Sequence, residues 1–372
     1  MKGLQGVWLA VMAGLAMAGC ARPPETVAPP PDDPGPGVTA DYTPGQVSVA
    51  PQIQLARPNL AASTLAGTGT AGKRDGAAGQ AQFQAPEGVA VAADGTVFVA
   101  EPYAYRIRQI SPSGTVSTLA GGAGGTPGRA DGVGSLASFM GPKDVAIAPN
   151  GDLYVVDFDG VRRVTRDGHV STLALHNADG SEYQPIELFG IACDRSGTLY
   201  LSATTWIDRV TPDGAVSRYA GNDARGFADG PAARAYFNLP HKLALDAGGS
   251  LFVADYGNQR VRRIGPDRTV STIAGNGILG FTDGPAEHSR LNFPAGVAVD
   301  AQGDVIVADT FNHAIRQVSP DGAVRTLAGT NAPGLSNTAG AIQFNQPSGV
   351  AIRPDGGIVV ADRDNAVVRL LR

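Results

Sequence analysis

Ser-Thr-Leu-Ala-Gly stands at residues 63–67 and again at residues 117–121. It is clipped to Ser-Thr-Leu-Ala-Leu at 171–175. It then returns as Ser-Arg-Tyr-Ala-Gly at 217–221, Ser-Thr-Ile-Ala-Gly at 271–275 and Arg-Thr-Leu-Ala-Gly at 325–329. The interval is about 54 residues, and the third copy is shorter by eight. Self-similarity at such a period marks a stack or ring of one small unit, each copy too small to bury a core alone.

The fourth copy shows what the unit is. Residues 242–246 alternate toward an apolar strand, Ala247, Gly248 and Gly249 turn the chain, and 251–254 make a second strand. After a loop at 255–259, residues 260–264 alternate charged and apolar side chains, 265–268 turn, and 269–274 form the last strand. The fifth copy repeats the plan at 296–300, 305–308, 314–318 and 323–328, with no room for ordinary helices. The 50 glycines and 27 prolines of the 372-residue chain punctuate these short apolar runs, as turns between many strands require.

Four antiparallel strands in each of several copies predict an all-β fold, a β-propeller, because radial packing buries both faces of every small sheet. First strands at 88–92, 144–148, 190–194, 242–246, 296–300 and 349–353 predict six four-stranded blades. The sixth stops after a third strand at 367–371, while 63–66 is a fourth strand without predecessors. The two are expected to share one blade, so that the N-terminal strand closes the ring and leaves no long open sheet edge.

The order Gly-Val-Ala-Val, turn, Val-Ala-Asp, arginine-rich strand, Thr-Leu-Ala-Gly resembles NHL repeats over nearly all of the chain from residue 60 onward. The resemblance is specific for fold and unspecific for activity. Related six-bladed propellers include metal-dependent lactonases similar to gluconolactonase, strictosidine-synthase-like enzymes and peptide-amidating lyases. A metal-dependent hydrolase or lyase is therefore the alternative to a binding protein, although the channel ligands of those enzymes do not map onto this chain.

The first 58 residues read differently. Lys2 precedes an apolar stretch at 7–17, too short for a permanent anchor and suited to a signal peptide. Met17-Ala18-Gly19-Cys20 resembles a bacterial lipobox, with Cys20 as the lipidated residue; Ala16-Met17-Ala18 also fits a site of ordinary secretion. Residues 1–19 are expected to be a lipoprotein-type signal peptide, 20–58 a proline-rich tether, and 59–372 the propeller. Export to a bacterial envelope follows, with Ala21 beside the cysteine implying the outer membrane in a Gram-negative cell. Of the two cysteines, Cys193 lies in an apolar strand context far from Cys20, so no disulfide staple is expected.

The recurring polar residues have mainly structural readings. Glu101, Asp157, Asp255, Asp309 and Asp362 follow second strands and are expected to accept backbone N–H groups in the turn to the third strand. The third copy has Ala203 there. Arginines recur in third strands but are spread around the ring. The net charge of −5, about −6 without Lys2, argues against binding nucleic acid. Asp75, Asp131, Asp229 and Asp283, each followed by glycine, are expected to cap short helical turns, since these loops lack the acidic ladder calcium needs. Phe83, Phe139, Phe237, Leu291 and Phe344 are expected to anchor the connecting loops on the core.

Function is sought where the copies keep the fold but change chemistry. The residue just before each first strand, near the mouth of the central channel, is in turn Glu87, Lys143, Phe189, His241, Ala295 and Ser348. Of these, Glu87, Lys143, Phe189, His241 and Ser348 are the candidate ligand-binding residues. One histidine and one carboxylate do not make a zinc site, and no nucleophile elbow or His-Glu-x-x-His helix appears, so no catalytic residue, metal ligand or cofactor is assigned. The third copy departs most, with Trp206 in place of a loop polar residue and His176, Tyr183, Glu187 and Phe189 close by. The expectation is a monomeric, membrane-tethered binding or scaffold propeller that engages an envelope protein, peptide or glycan through its loop-rich face.

Overall fold

Continuous apolar runs in the central strands, such as those at 251–254 and 305–308, leave both faces of the sheets apolar, and the sheets bury those faces against each other. The computed structural model describes residues 60–372 except 123, 124, 159 and 186. The chain divides into a unit Met1–Leu55 and a unit Ala56–Arg372, and the second holds every described residue. The signal-peptide reading, Cys20 and the tether to residue 58 lie outside the described residues.

Six antiparallel sheets follow one another, and in each the main strands run outward in chain order, except that in the last sheet the outermost strand is supplied by the N-terminal Ala62–Ala66. Blade 4 is representative: Pro240–Leu245, Leu251–Asp255, Arg260–Ile264 and Thr269–Ala274 run from the innermost to the outer strand. The first strands pack side by side around the axis, and that of blade 6 (Pro347–Ile352) meets that of blade 1 (Val89–Val91) to complete the ring. Closure is as expected: Ala62–Ala66 pairs antiparallel with Val367–Leu371, with Ala62 opposite Leu371.

Six hydrophobic clusters hold the ring, each shared by two adjacent blades. Phe98 and Ile107 of blade 1 pack with Val145, Leu153 and Val155 of blade 2. Val359 and Val368 of blade 6 pack with Val89, Val97 and Val99 of blade 1. No blade owns its core, which is why the copies must assemble to be stable.

Blades 1, 2, 4 and 5 carry a fifth, two-residue outer strand that the four-strand reading lacked: Gly76–Ala77, Gly132–Val133, Gly230–Pro231 and Gly284–Pro285. Each begins at the glycine of a recurring Asp-Gly pair, and this revises the role expected for the aspartates. The short turns at Gly134–Leu136 and Ala232–Arg234 start from Val133 and Pro231, with no side-chain cap. The aspartates instead bind the third-strand arginines. Asp229 accepts from Arg262, and its other oxygen accepts from the Thr272 N–H at 3.0 Å. Asp75, Asp131 and Asp283 meet Arg108, Arg162 and Arg316 in the same way.

The acid after the second strand completes this clamp. Asp309 accepts from Arg316 at 2.6 Å and from the N–H of Asn292, in the loop that precedes its own blade, at 2.7 Å. It is structural, as expected, but the N–H it holds lies 17 residues upstream and not in the following turn. Arg108, Arg262, Arg316 and Arg369 are fully buried. Their guanidiniums lie over anchoring rings, such as Arg262 over Phe237 at 5.0 Å and Arg369 over Phe344 at 5.1 Å. Phe83, Phe139, Phe237, Leu291 and Phe344 are all fully buried, as their anchoring role requires.

Blade 3 inverts the clamp. With Ala203 in the acid position, the arginine position holds Asp208, which accepts from the Tyr183 hydroxyl, from Trp206 Nε1 at 2.8 Å and from Arg218 Nε at 3.3 Å. An arginine there would have lacked its carboxylate; an aspartate bonded by three donors satisfies the buried site with the opposite charge.

Candidate functional site

The candidate residues stand at the starts of the first strands, which begin two residues earlier than expected in four blades. Lys143, His241, Ala295 and Ser348 are second residues of Pro142–Ile147, Pro240–Leu245, Pro294–Val299 and Pro347–Ile352, whereas Glu87 and Phe189 precede theirs. Glu187, Leu239, Phe293 and Gln346, each two residues or fewer from a mouth position, hold left-handed backbone with φ of 45°, 51°, 51° and 50°. Recurrence in successive blades makes this an architectural turn, which leads the chain into each first strand.

Three of the candidates come together. The Lys143 ammonium of blade 2 lies 4.4 Å from the centroid of the Phe189 ring of blade 3, and 5.7 Å from that of Phe158. Phe189 stacks on His241 of blade 4 at 4.9 Å and 12°. His241 in turn stacks on Tyr256 at 4.0 Å and 7°. The series continues through Phe293, tilted on Tyr256 at 4.8 Å, to Phe311, edge-on at 5.4 Å. One column of five rings thus spans blades 3 to 5, from Phe189 to Phe311, and the Lys143 ammonium of blade 2 lies over both its first ring and Phe158; Phe158 and Phe311 are 46% and 41% exposed.

The other candidates are placed differently. Glu87 is half-buried on blade 1, and its charge reaches Lys143 and Tyr256. Ser348 is buried and donates to the carbonyls of Pro86 and Glu87 at 3.1 and 3.2 Å, tying blade 6 to blade 1. Ala295 is buried too. Phe158, Tyr256, Phe293 and Phe311 were missed because only one position per copy was compared. Their signal was available: Phe158 and Tyr256 directly follow the recurring acid, and Phe311 lies two residues after it.

Beneath the column the axis is occupied. Asp144 and Lys242 stand where the other first strands have Gly88, Gly190, Gly296 and Gly349. Both are buried, 3.2 Å apart, and link blade 2 to blade 4. Lys242 also donates to the Lys143 carbonyl at 2.9 Å, and Asp144 accepts from the Ile191 N–H at 3.0 Å. Glycine is required beside this pair: a Cβ on Gly190 would lie 2.7 Å from the Lys242 Cα, and one on Gly88 2.6 Å from the Asp144 Cα.

The electrostatics follow from burial. Loss of water pushes the Lys143 pKa down, partly offset by Glu187 and Glu87. His241 is pushed well below the ordinary histidine value, first by desolvation and then by Lys242, Lys143 and Arg363, so it is neutral at neutral pH. Burial also raises Tyr256. Among the described residues, no three His, Cys, Asp or Glu side chains converge as a metal site would require.

A closed ring of six inter-locked sheets around this mouth defines the class: a six-bladed β-propeller. The NHL repeat family pattern matches three of its copies, at residues 237–264, 291–318 and 344–369. The chain is 28% identical over 325 residues to NHL repeat-containing protein 2 from Bos taurus, covering 73% of this chain and 44% of that protein. It thus spans less than half the length of that curated relative. Among solved structures, an auxiliary nutrient binding protein from Bacteroides thetaiotaomicron superposes with a TM-score of 0.65 at 14% identity, over 84% of this chain and 76% of that one. A streptogramin B lyase superposes with a TM-score of 0.54 at 13% identity, over 84% and 98%. One fold thus occurs in a nutrient binding protein and in a lyase, so the fold does not decide between them.

Proposed function

We propose that this protein is a binding propeller, exported and tethered through Cys20 to a bacterial envelope, which engages a protein, peptide or glycan at the mouth of its central channel. The observation that supports it is the ring column from Phe189 through His241, Tyr256 and Phe293 to Phe311, capped by the Lys143 ammonium, which also lies over Phe158. Aromatic side chains supply large contact area at little entropic cost and dominate recognition surfaces. The mouth adds a cation, the half-buried Glu87 and a sealed polar floor, and these give directional contacts.

Peptide and glycan arrays probed with the whole chain test this reading. A defined set of ligands is expected to be retained, and a Lys143→Met, Phe189→Ala, His241→Ala triple variant, checked for an unchanged fold by circular dichroism, is expected to lose it. Equal retention by the variant, or none by the parent, overturns the assignment. The tether has its own test: Cys20→Ala is expected to move the protein from the membrane to the soluble fraction of a Gram-negative host.

A further inference from the structure

Five of the six connections between blades carry a flap of eight to ten residues between the last alanine of one outer strand and the Asp or Asn that binds the next arginine: 67–74, 121–130, 221–228, 275–282 and 329–336. Each flap docks on the arm that returns to the axis. The N–H groups of Gly72, Gly128, Gly226, Gly280 and Gly334 donate to the carbonyls of Phe83, Phe139, Phe237, Leu291 and Phe344 at 2.9, 2.9, 3.2, 3.3 and 3.0 Å. The flaps also rest on the preceding blade and on the preceding flap. A Cβ on Gly122 would lie 3.2 Å from the Arg106 Cβ, one on Gly67 3.0 Å from the Val367 Cα, and one on Gly69 3.3 Å from the Leu335 Cδ2.

Between blades 2 and 3 there is no flap. Ala174 leads through Leu175 straight to His176, which takes the outer-strand position by bonding to the Gly214 carbonyl at 3.0 Å. A cavity of about 490 Å3 stands at this seam. Three of its walls are register equivalents of the surfaces that flaps cover elsewhere. Gly160 stands where blades 1 and 6 have Arg106 and Val367, and Arg129 where neighbouring flaps have Lys73 and Leu335. Pro185 stands where the other arms present the carbonyl of Phe83 and its counterparts. Leu173 and the Tyr183 ring add apolar surface. The volume lies within the range of small-ligand sites.

We propose that the seam between blades 2 and 3 is a recognition site for an extended peptide that supplies the missing flap in trans. The five resident flaps state the chemistry of the guest. Three carry glycine followed by a large apolar residue: Gly226-Phe227, Gly280-Phe281 and Gly334-Leu335. The glycine is needed for close approach, since a Cβ on Gly280 would lie 2.9 Å from the Arg290 Cδ. The guest is therefore a glycine-plus-aromatic or glycine-plus-leucine segment lying extended over Leu173 and Tyr183. This site shares none of its described lining residues with the mouth column.

A synthetic peptide with the sequence of residues 275–282, titrated calorimetrically into the whole chain, tests the proposal. Saturable one-to-one binding is expected, weakened at least tenfold when the peptide's internal Gly-Phe is replaced by Val-Ser. Gly160→Arg, whose long side chain would occupy the cavity the guest enters, is expected to weaken it at least tenfold. This variant is readily accommodated because a Cβ on Gly160 meets nothing within 4 Å. Lys143→Met is expected to leave binding unchanged. No saturation at millimolar peptide, equal affinity of the Gly160→Arg chain, or loss with Lys143→Met would each overturn the assignment.

Discussion

His241 is the residue whose environment says most about the mouth. Rings cover it on both sides and every charge that bears on it is positive, so the folded protein holds its imidazole neutral below the pH at which a free histidine takes up a proton. Between the folded pKa and about 6.5, the unfolded chain binds the extra proton and the folded chain does not. Stability contributed by this group is therefore complete above that value and lost as pH falls, by up to about 1.4 kcal/mol per unit. His241→Phe keeps a ring in the column and removes the titration. Urea unfolding at pH 7 and pH 5 is expected to show a smaller acid-induced loss for this variant than for the parent. His313, also lowered by burial, is common to both chains and cancels in the comparison. An identical loss in the two would mean that His241 is solvated.

Each blade is closed by a polar clamp as well as by its apolar faces. In blade 5, Arg316 joins Asp309 of its own sheet to Asp283 of the connecting loop, both at 2.6 Å, and also takes the Thr282 and Arg290 carbonyls at 2.9 and 3.2 Å. Removing one partner of a buried pair leaves a stranded charge, so Arg316→Met is expected to cost about 3–5 kcal/mol in denaturant unfolding. Arg163→Met is the control. Arg163 also pairs with an aspartate, Asp152, but is 45% exposed, and its loss is expected to cost about 1 kcal/mol or less. Equal effects would show that the buried clamp is dispensable. The arginine spacing was legible in the sequence, but its meaning was not. Repetition at a fixed offset reads equally well as a solvated face, and only the packed sheet shows the guanidinium threaded between two loops.

The ring exists as a whole or not at all, because every hydrophobic cluster belongs to two blades. The strand Ala62–Ala66 is the outer strand of blade 6, and its loss would uncover the edge of Val367–Leu371 at the seam where chain ends meet. Deleting residues 60–67 is expected to lower the thermal midpoint of the entire propeller in one transition and to promote association through the bared edge. An unchanged midpoint, or a separate early transition confined to one blade, would contradict shared closure. The same logic explains the third copy: a shortened connection is tolerated because Asp208 and its three donors replace the clamp, and the space given up becomes the seam cavity.

Period, the four main strands of each blade, blade count and ring closure were all written in the chain, since hydrophobic patterning and turn residues are local properties that repetition amplifies. The positions where copies keep register and change chemistry could be picked out for the same reason, but not which of them come together: Lys143, Phe189 and His241 meet, while Ser348 and Ala295 are buried. The fifth outer strands, the burial of the arginines and the stacking of Phe189, His241 and Tyr256 were decided by tertiary structure. Each depends on residues from different copies meeting around an axis. A linear repeat reports what every blade shares, and only the closed ring determines which unlike side chains face one another.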